Sequence, residues 1–304
     1  MSTGIALSAL SSLALGLSTV ALAIAARRVG TVVATAATLL IAFVPLSVLA
    51  LAAGAEFAFP ARSLLVVVVA GALVAVAYLA AIESLRRGPV AVTSPIGSAT
   101  GAATVAAAFV LLAERPTAGQ WAGCAVTAAG CVLASVTRTG GGMRLIGLGP
   151  VYALVGVVLG AIANVAVRDP IRDVGPLDVI VVERAATILA LAVVLVVFGA
   201  RLRRALRTPV PAGAGLAAPE PRPIDRRAAG LLLILGLLDA AAFVGFAYAI
   251  EVAPAWLVGV ISQSGRALAV VAGVILFGER LERLQWTGVG TLALGLVLVS
   301  VTSA

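Results

Sequence analysis

Stretches of about 20 mostly apolar residues recur along the chain, separated by short polar breaks. Ten fit the length of a membrane-crossing helix, at about 5–26, 31–53, 63–85, 89–113, 118–137, 146–167, 177–199, 229–250, 254–278 and 285–302. Almost nothing is left over for a soluble domain. The exception is about 200–228, where arginine, proline and glycine predict a flexible polar loop. The first apolar run lacks the basic leader of a secretory signal and a second follows at once, so it reads as a retained helix.

Composition agrees with the pattern. Of 304 residues 62% are hydrophobic and 11% charged, and the mean hydropathy is +1.17, which predicts an all-α membrane protein. The isoelectric point near 11.1 would suggest nucleic acid in a soluble chain. Here every basic residue is arginine and most sit in short inter-span loops, so they read as topology signals and no nucleic-acid partner is expected. Fifteen arginines lie in the loops after the odd-numbered spans and four after the even-numbered ones. The excess of arginine on cytoplasmic loops then places both termini outside the cytoplasm, in a multi-pass protein of the inner (plasma) membrane.

A string near the middle returns near the end. Glu114, Arg115, Gln120, Trp121 and Gly123 reappear 165 residues later as Glu279, Arg280, Gln285, Trp286 and Gly288, and Pro89 as Pro254. Upstream the offset falls to about 145, where Gly30 answers Gly175, and the 200–228 loop accounts for the difference. Two units follow, 1–139 and 140–304, each of five spans. Five is odd, so the second unit threads the membrane in the opposite sense, as an inverted repeat. Within the string, Pro116 stops one helix, and Thr117 with Gln120 three residues on predicts a capping box for the next. Glu282 stands where the second copy would need Thr, which predicts a poorer cap. Trp121 fits an interfacial anchor.

These residues resemble the EamA-like family of the drug/metabolite transporter superfamily. The resemblance rests on "SPIGSATGAATVAAAFVLLAERPTAGQWAGCAVTAAGCVLAS" and on "PLDVIVVERAATILA", where Arg184 follows Pro176 by eight residues. In two places the halves diverge: the second span has no matching arginine, and Val260 stands where Pro95 would recur. The resemblance implies a secondary transporter, exporting a small organic metabolite or drug by alternating access, with a midplane site between the repeats. A flippase for a lipid-linked or amphiphilic substrate is the alternative. The implied partners are a small-molecule substrate, the lipid bilayer and a proton or counter-solute, in a monomer or homodimer.

Candidate site residues come from the cost of polar groups in hydrocarbon. Asp239 and Arg266 fall near the middle of their spans, where they can pair. Glu183 and Arg184 fall in the first turns of theirs, where an arginine can snorkel outward. Ser94, Ser98 and Gly101 form a stripe that the 165 offset maps onto Gly259, Gln263 and Arg266. The substrate candidates are therefore Asp239, Gln263 and Arg266, with Ser98, Asn164 and Arg184 on the wall; Asn164 matches a cavity-facing polar position of the family. Small polar residues at that spacing also pack membrane helices. Glu83 with Arg86 and Arg87 reads as a surface ion pair. Cys124 and Cys131, seven apart on one span, read as packing residues. The chain has no histidine, and its carboxylates are scattered, so no metal, cofactor or enzymatic chemistry is expected. The chain also lacks lysine and hence a phosphate-binding GxxxxGK[ST] loop.

Overall fold

A computed structural model describes residues 2–29, 31–87, 93, 96–134, 136–139, 142–145, 147–207, 224–265, 274–275 and 281–302. Its helices are α1 (Ser2–Val29), α2 (Thr31–Ala52), α3 (Ala61–Arg87), α4 (Thr100–Leu112), α5 (Ala118–Ala134), α6 (Gly149–Ala166), α7 (Arg168–Val174), α8 (Pro176–Arg207), α9 (Arg226–Val252), α10 (Ala255–Ser264) and α11 (Arg283–Val301). Among the described residues six helical stretches are long and apolar enough to cross a membrane: Ser2–Ala26, Val33–Ala52, Ala61–Ala81, Gly149–Val174, Pro176–Val197 and Arg226–Val252. Four shorter apolar helices lie where the other spans are expected: Ile96–Leu112, Ala118–Ala134, Ala255–Ser264 and Arg283–Val299.

Three local features differ from the sequence reading. The all-α expectation holds for the bundle, with one small hairpin added at the junction between the halves, β1 (Val136–Thr139) with β2 (Gly142–Leu145), antiparallel with Val136 opposite Leu145. β-branched Val136, Thr137 and Thr139 ahead of a glycine run favour that pairing over a helix. The 200–228 loop is shorter than expected, because α8 continues through Arg207 and α9 begins at Arg226. "RLRRALR" holds only good helix formers, and its cations suit a helix C-terminus. The link after the sixth span is itself helical, as α7, and closes at Gly175, whose φ of +126° suits only glycine.

The packing is the same when the two halves are exchanged. α1 packs on α9 as α6 packs on α3; α3 packs on α8 as α9 packs on α2; α1 packs on α10 as α6 packs on α4. The remaining large contacts pair equivalent helices: α5 with α11, α4 with α10, α2 with α8. The correspondence reaches single glycines. A Cβ on Gly123 would strike Val299 and one on Gly288 would strike Ala134; Gly130 sits against Leu292 and Gly295 against Thr127. Each pair becomes the other under the 165 offset, so α5 and α11 approach through two glycines from each side, as small residues allow in a bilayer.

Alanine carries much of the core, with Ala42, Ala50, Ala70, Ala163, Ala247 and Ala249 in the largest buried cluster. The large aliphatic side chains point outward instead: Val44, Val48, Leu51, Leu65, Val110 and Val196 are all exposed. In water such an exterior would be a liability; against lipid tails it is the ordinary surface.

The repeated string behaves as a hairpin. Thr117 N–H donates to Gln120 Oε1 at 2.7 Å and Gln120 N–H donates to Thr117 Oγ1 at 3.2 Å, the capping box expected. The second copy keeps the return bond, Glu282 N–H to Gln285 Oε1 at 2.9 Å. Trp121 is partly exposed and meets Phe109 edge-on at 5.5 Å. Cys124 and Cys131 form no disulfide with each other and pack within the helices.

Candidate functional site

A cavity of about 200 Å³ lies between the two halves. The first half contributes hydroxyls, from Ser11, Ser18 and Thr19 on α1, Thr35 and Thr38 on α2, and Thr93 and Thr100 near α4, together with Tyr78 on α3. The second half contributes Asn164 on α6, Asp239, Phe243 and Phe246 on α9, and Ser262 and Gln263 on α10. Gly156 and Gly160 line the α6 side, where the missing side chains leave room.

Asp239, 4% exposed, is the carboxylate on the described wall. Arg184 stands behind it on α8, 1% exposed, with Nη2 at 3.0 Å from Asp239 Oδ2. Its Nη1 donates to the Tyr78 hydroxyl at 3.3 Å, and that hydroxyl makes a long 3.5 Å bond to Asp239 Oδ1. The guanidinium carbon also lies 3.9 Å from the centre of the Phe243 ring, a cation–π contact. Of the two directions open to it from its position in the span, outward by snorkelling or inward, Arg184 takes the inward one. The inward pocket supplies an acid, a hydroxyl and a ring face, which together offset the loss of water.

The six sequence candidates separate into four groups. Asp239, Gln263 and Asn164 line the cavity. Arg184 touches Asp239 but does not line it. Ser98 is fully buried and turned away, while its neighbours Gly97 and Thr100 face the space. Arg266 lies outside the described residues, as do Ser94, the side chains of Arg86 and Arg87, and the second Glu-Arg pair at Glu279 and Arg280. The partner found for Asp239 is accordingly Arg184.

Three polar atoms of lining residues, Thr35 Oγ1, Ser262 Oγ and Gln263 Oε1, have no hydrogen-bond partner among the described residues. Such groups normally find water or solute. Sequence reasoning passed over the aromatic wall. Tyr78 and Phe243 are related by the same 165 offset, a signal that was present and unused, because single aromatics in an apolar span usually mean packing.

At one end of the cavity helices, Glu114 and Arg168 meet at 3.7 Å, tying the first-half hairpin to α7. Burial is the main influence on the Glu114 carboxyl and raises its pKa above the ordinary carboxylate value, against the opposing pull of Arg168 and Arg172.

Residues 2–136 and 147–301 each match the EamA-like transporter family. A solved crystal structure described only as that of a protein shares the fold, with a TM-score of 0.62 at 19% identity over 98% of this chain and 94% of that one. No curated protein matches the chain. Two family matches covering nearly the whole length, on a bundle of apolar helices, make this a multi-pass membrane protein, and the chain belongs to the EamA-like transporter family.

Proposed function

We propose that the protein is a secondary transporter that exports a small organic metabolite or drug through the central cavity by alternating access. The cavity is the observation that carries this reading, since both halves line it and its polar groups concentrate there. In this reading all ten apolar helices span the bilayer, as two five-helix units, 1–139 and 140–304, of opposite orientation. The membrane is the plasma membrane, with both termini extracytoplasmic as the arginine distribution favours.

Asp239, Gln263 and Asn164 form the polar contacts for solute, and Arg266, outside the described residues, is a further candidate contact. Arg184 acts through Asp239, holding the carboxylate in place. Hydroxyls from α1 and α2 with Tyr78, Phe243 and Phe246 suit a solute that has an apolar body and a few polar groups. Rocking one half against the other exposes the cavity to each side in turn.

The test is uptake into proteoliposomes of radiolabelled amino acids, nucleosides, polyamines and lipophilic cations by the wild type and by Asp239→Asn. Uptake of one class by the wild type, lost in a folded Asp239→Asn, supports the site. Full uptake by Asp239→Asn moves the site elsewhere, and scrambling of labelled lipid without solute uptake replaces the transporter reading with a flippase.

A further inference from the structure

A second, smaller space lies beside the cavity. It measures about 10 Å³ and is lined by Ala163, Asn164 and Val167 of α6, Ile171 of α7, Val179, Ile180 and Glu183 of α8, and Phe243 and Phe246 of α9. That is about the room one water needs. Apart from Glu183 and Asn164 its lining is hydrocarbon, and Glu183 is only 6% exposed.

Glu183 and Arg184 are neighbours in sequence yet serve different spaces. Consecutive residues on a helix diverge by about 100°. Arg184 therefore reaches Tyr78, Asp239 and Phe243, while Glu183 faces the void toward α6 and α7. The charges and titratable groups that Glu183 feels are Arg184 on its own helix, Asp239 on α9 and Tyr78 on α3. α7, which packs on α8, carries Arg168, Asp169, Arg172 and Asp173, but its void residue is Ile171; the void residues of α6 do not titrate, and α2, which also packs on α8, contains no titratable side chain.

We propose that Glu183 is a proton-binding site separate from the solute site, and that its protonation decides whether Arg184 stays on Asp239. A proton arriving from bulk water adds to the Glu183 carboxylate and leaves it neutral, with Arg184 and Asp239 balancing each other. Loss of that proton back to water leaves two carboxylates and one guanidinium in the same low-dielectric region. Arg184 is then shared between them, and the Asp239 carboxylate becomes more available to the cavity. Asn164, Phe243 and Phe246 line both spaces, so they form the wall that the proton site shares with the solute site. A metal cation would need several oxygen ligands, whereas the side-chain oxygens here are those of Glu183 and Asn164.

The test needs no knowledge of the solute. Infrared difference spectra of the full-length protein in liposomes, stepped between pH 5 and 9, should show a protonated-carboxyl band that is lost in Glu183→Gln. Asp239→Asn should keep the band but move its midpoint to lower pH, because Arg184 then turns to Glu183 and favours its ionised form. Glu183→Asp, which retains the acid if the amide fails to fold, should keep a band at a shifted frequency. A band unchanged in Glu183→Gln, no band in the wild type across that range, or a midpoint that follows sodium concentration at fixed pH would each overturn the proposal.

Discussion

The second half of the chain holds an ion pair where the first half holds hydrocarbon. The 145 offset takes Arg184 to Leu39, and the 165 offset takes Asp239 to Val74. Leu39 is buried against Ala75 and Leu191, and Val74 lines the cavity. The helices around both sites pack alike: Gly71 of α3 sits against Ala186 of α8, and Gly236 of α9 against Ile41 of α2, the same contact seen from the other half. Packing is therefore a property of the repeat, and charge is a property of one copy. A buried ion pair adds little net stability over a hydrocarbon pair of similar volume, so the first half shows what the fold requires, and the second carries a charge pair that the fold does not need.

Making the second half resemble the first tests that division. Arg184→Leu alone strands Asp239 in a low-dielectric wall and should cost about 3–5 kcal/mol, the usual range for removing one partner of a buried pair, read as a fall in thermal stability in detergent. Adding Asp239→Val recreates the Leu39–Val74 arrangement and should recover stability to within about 1 kcal/mol of wild type while transport stays lost. A double variant as unstable as the single one would mean that the pair is structural.

The glycine seam gives the opposite expectation, equal effects in both halves. Gly130→Ala places a methyl against Leu292 and Gly295→Ala places one against Thr127, and each should cost about 1–3 kcal/mol through overpacking. Unequal costs would show that the seam is less symmetric than its geometry.

Much of this was legible in the sequence. The offset named the equivalent helices, because hairpin residues such as Gln120 and Trp121 obey local capping and interface rules that recur with the repeat. Asp239 and Gln263 were found because polar groups are scarce in apolar helices. For Arg184 the sequence left two directions open, outward to the headgroups or inward to the wall, since span depth says nothing about the side-chain torsions of so long a residue. Ser98 and the cavity-facing Gly97 and Thr100 differ by one or two residues, and rotation of that helix is fixed by contacts such as Gly101 against Val260, which no single span records. The β1–β2 hairpin fell at the junction between repeats, where span counting offers no guide.

Smaller effects sharpen the comparison at the hairpins. Thr117→Ala removes the side-chain acceptor of the first capping box and should cost about 1 kcal/mol, more than Glu282→Ala in the second copy. Glu114 should give a weak pH dependence. Its carboxyl takes up protons more readily in the folded chain than in the unfolded one, so this group favours folding more as pH falls from neutral toward the ordinary carboxylate range, and that gain is lost as pH rises. Glu114→Gln should flatten this part of the stability profile.

The central claim is that the space between the halves opens to both sides of the membrane. It is tested most directly by placing a cysteine at Ser18 or Gly160, in a background with Cys124→Ala and Cys131→Ala, and labelling with a membrane-impermeant thiol reagent in right-side-out and inverted vesicles. The account predicts labelling from both faces at both positions, with no labelling of a cysteine placed at the buried, cavity-averted Ser98. Labelling from one face only, or from neither, would contradict it.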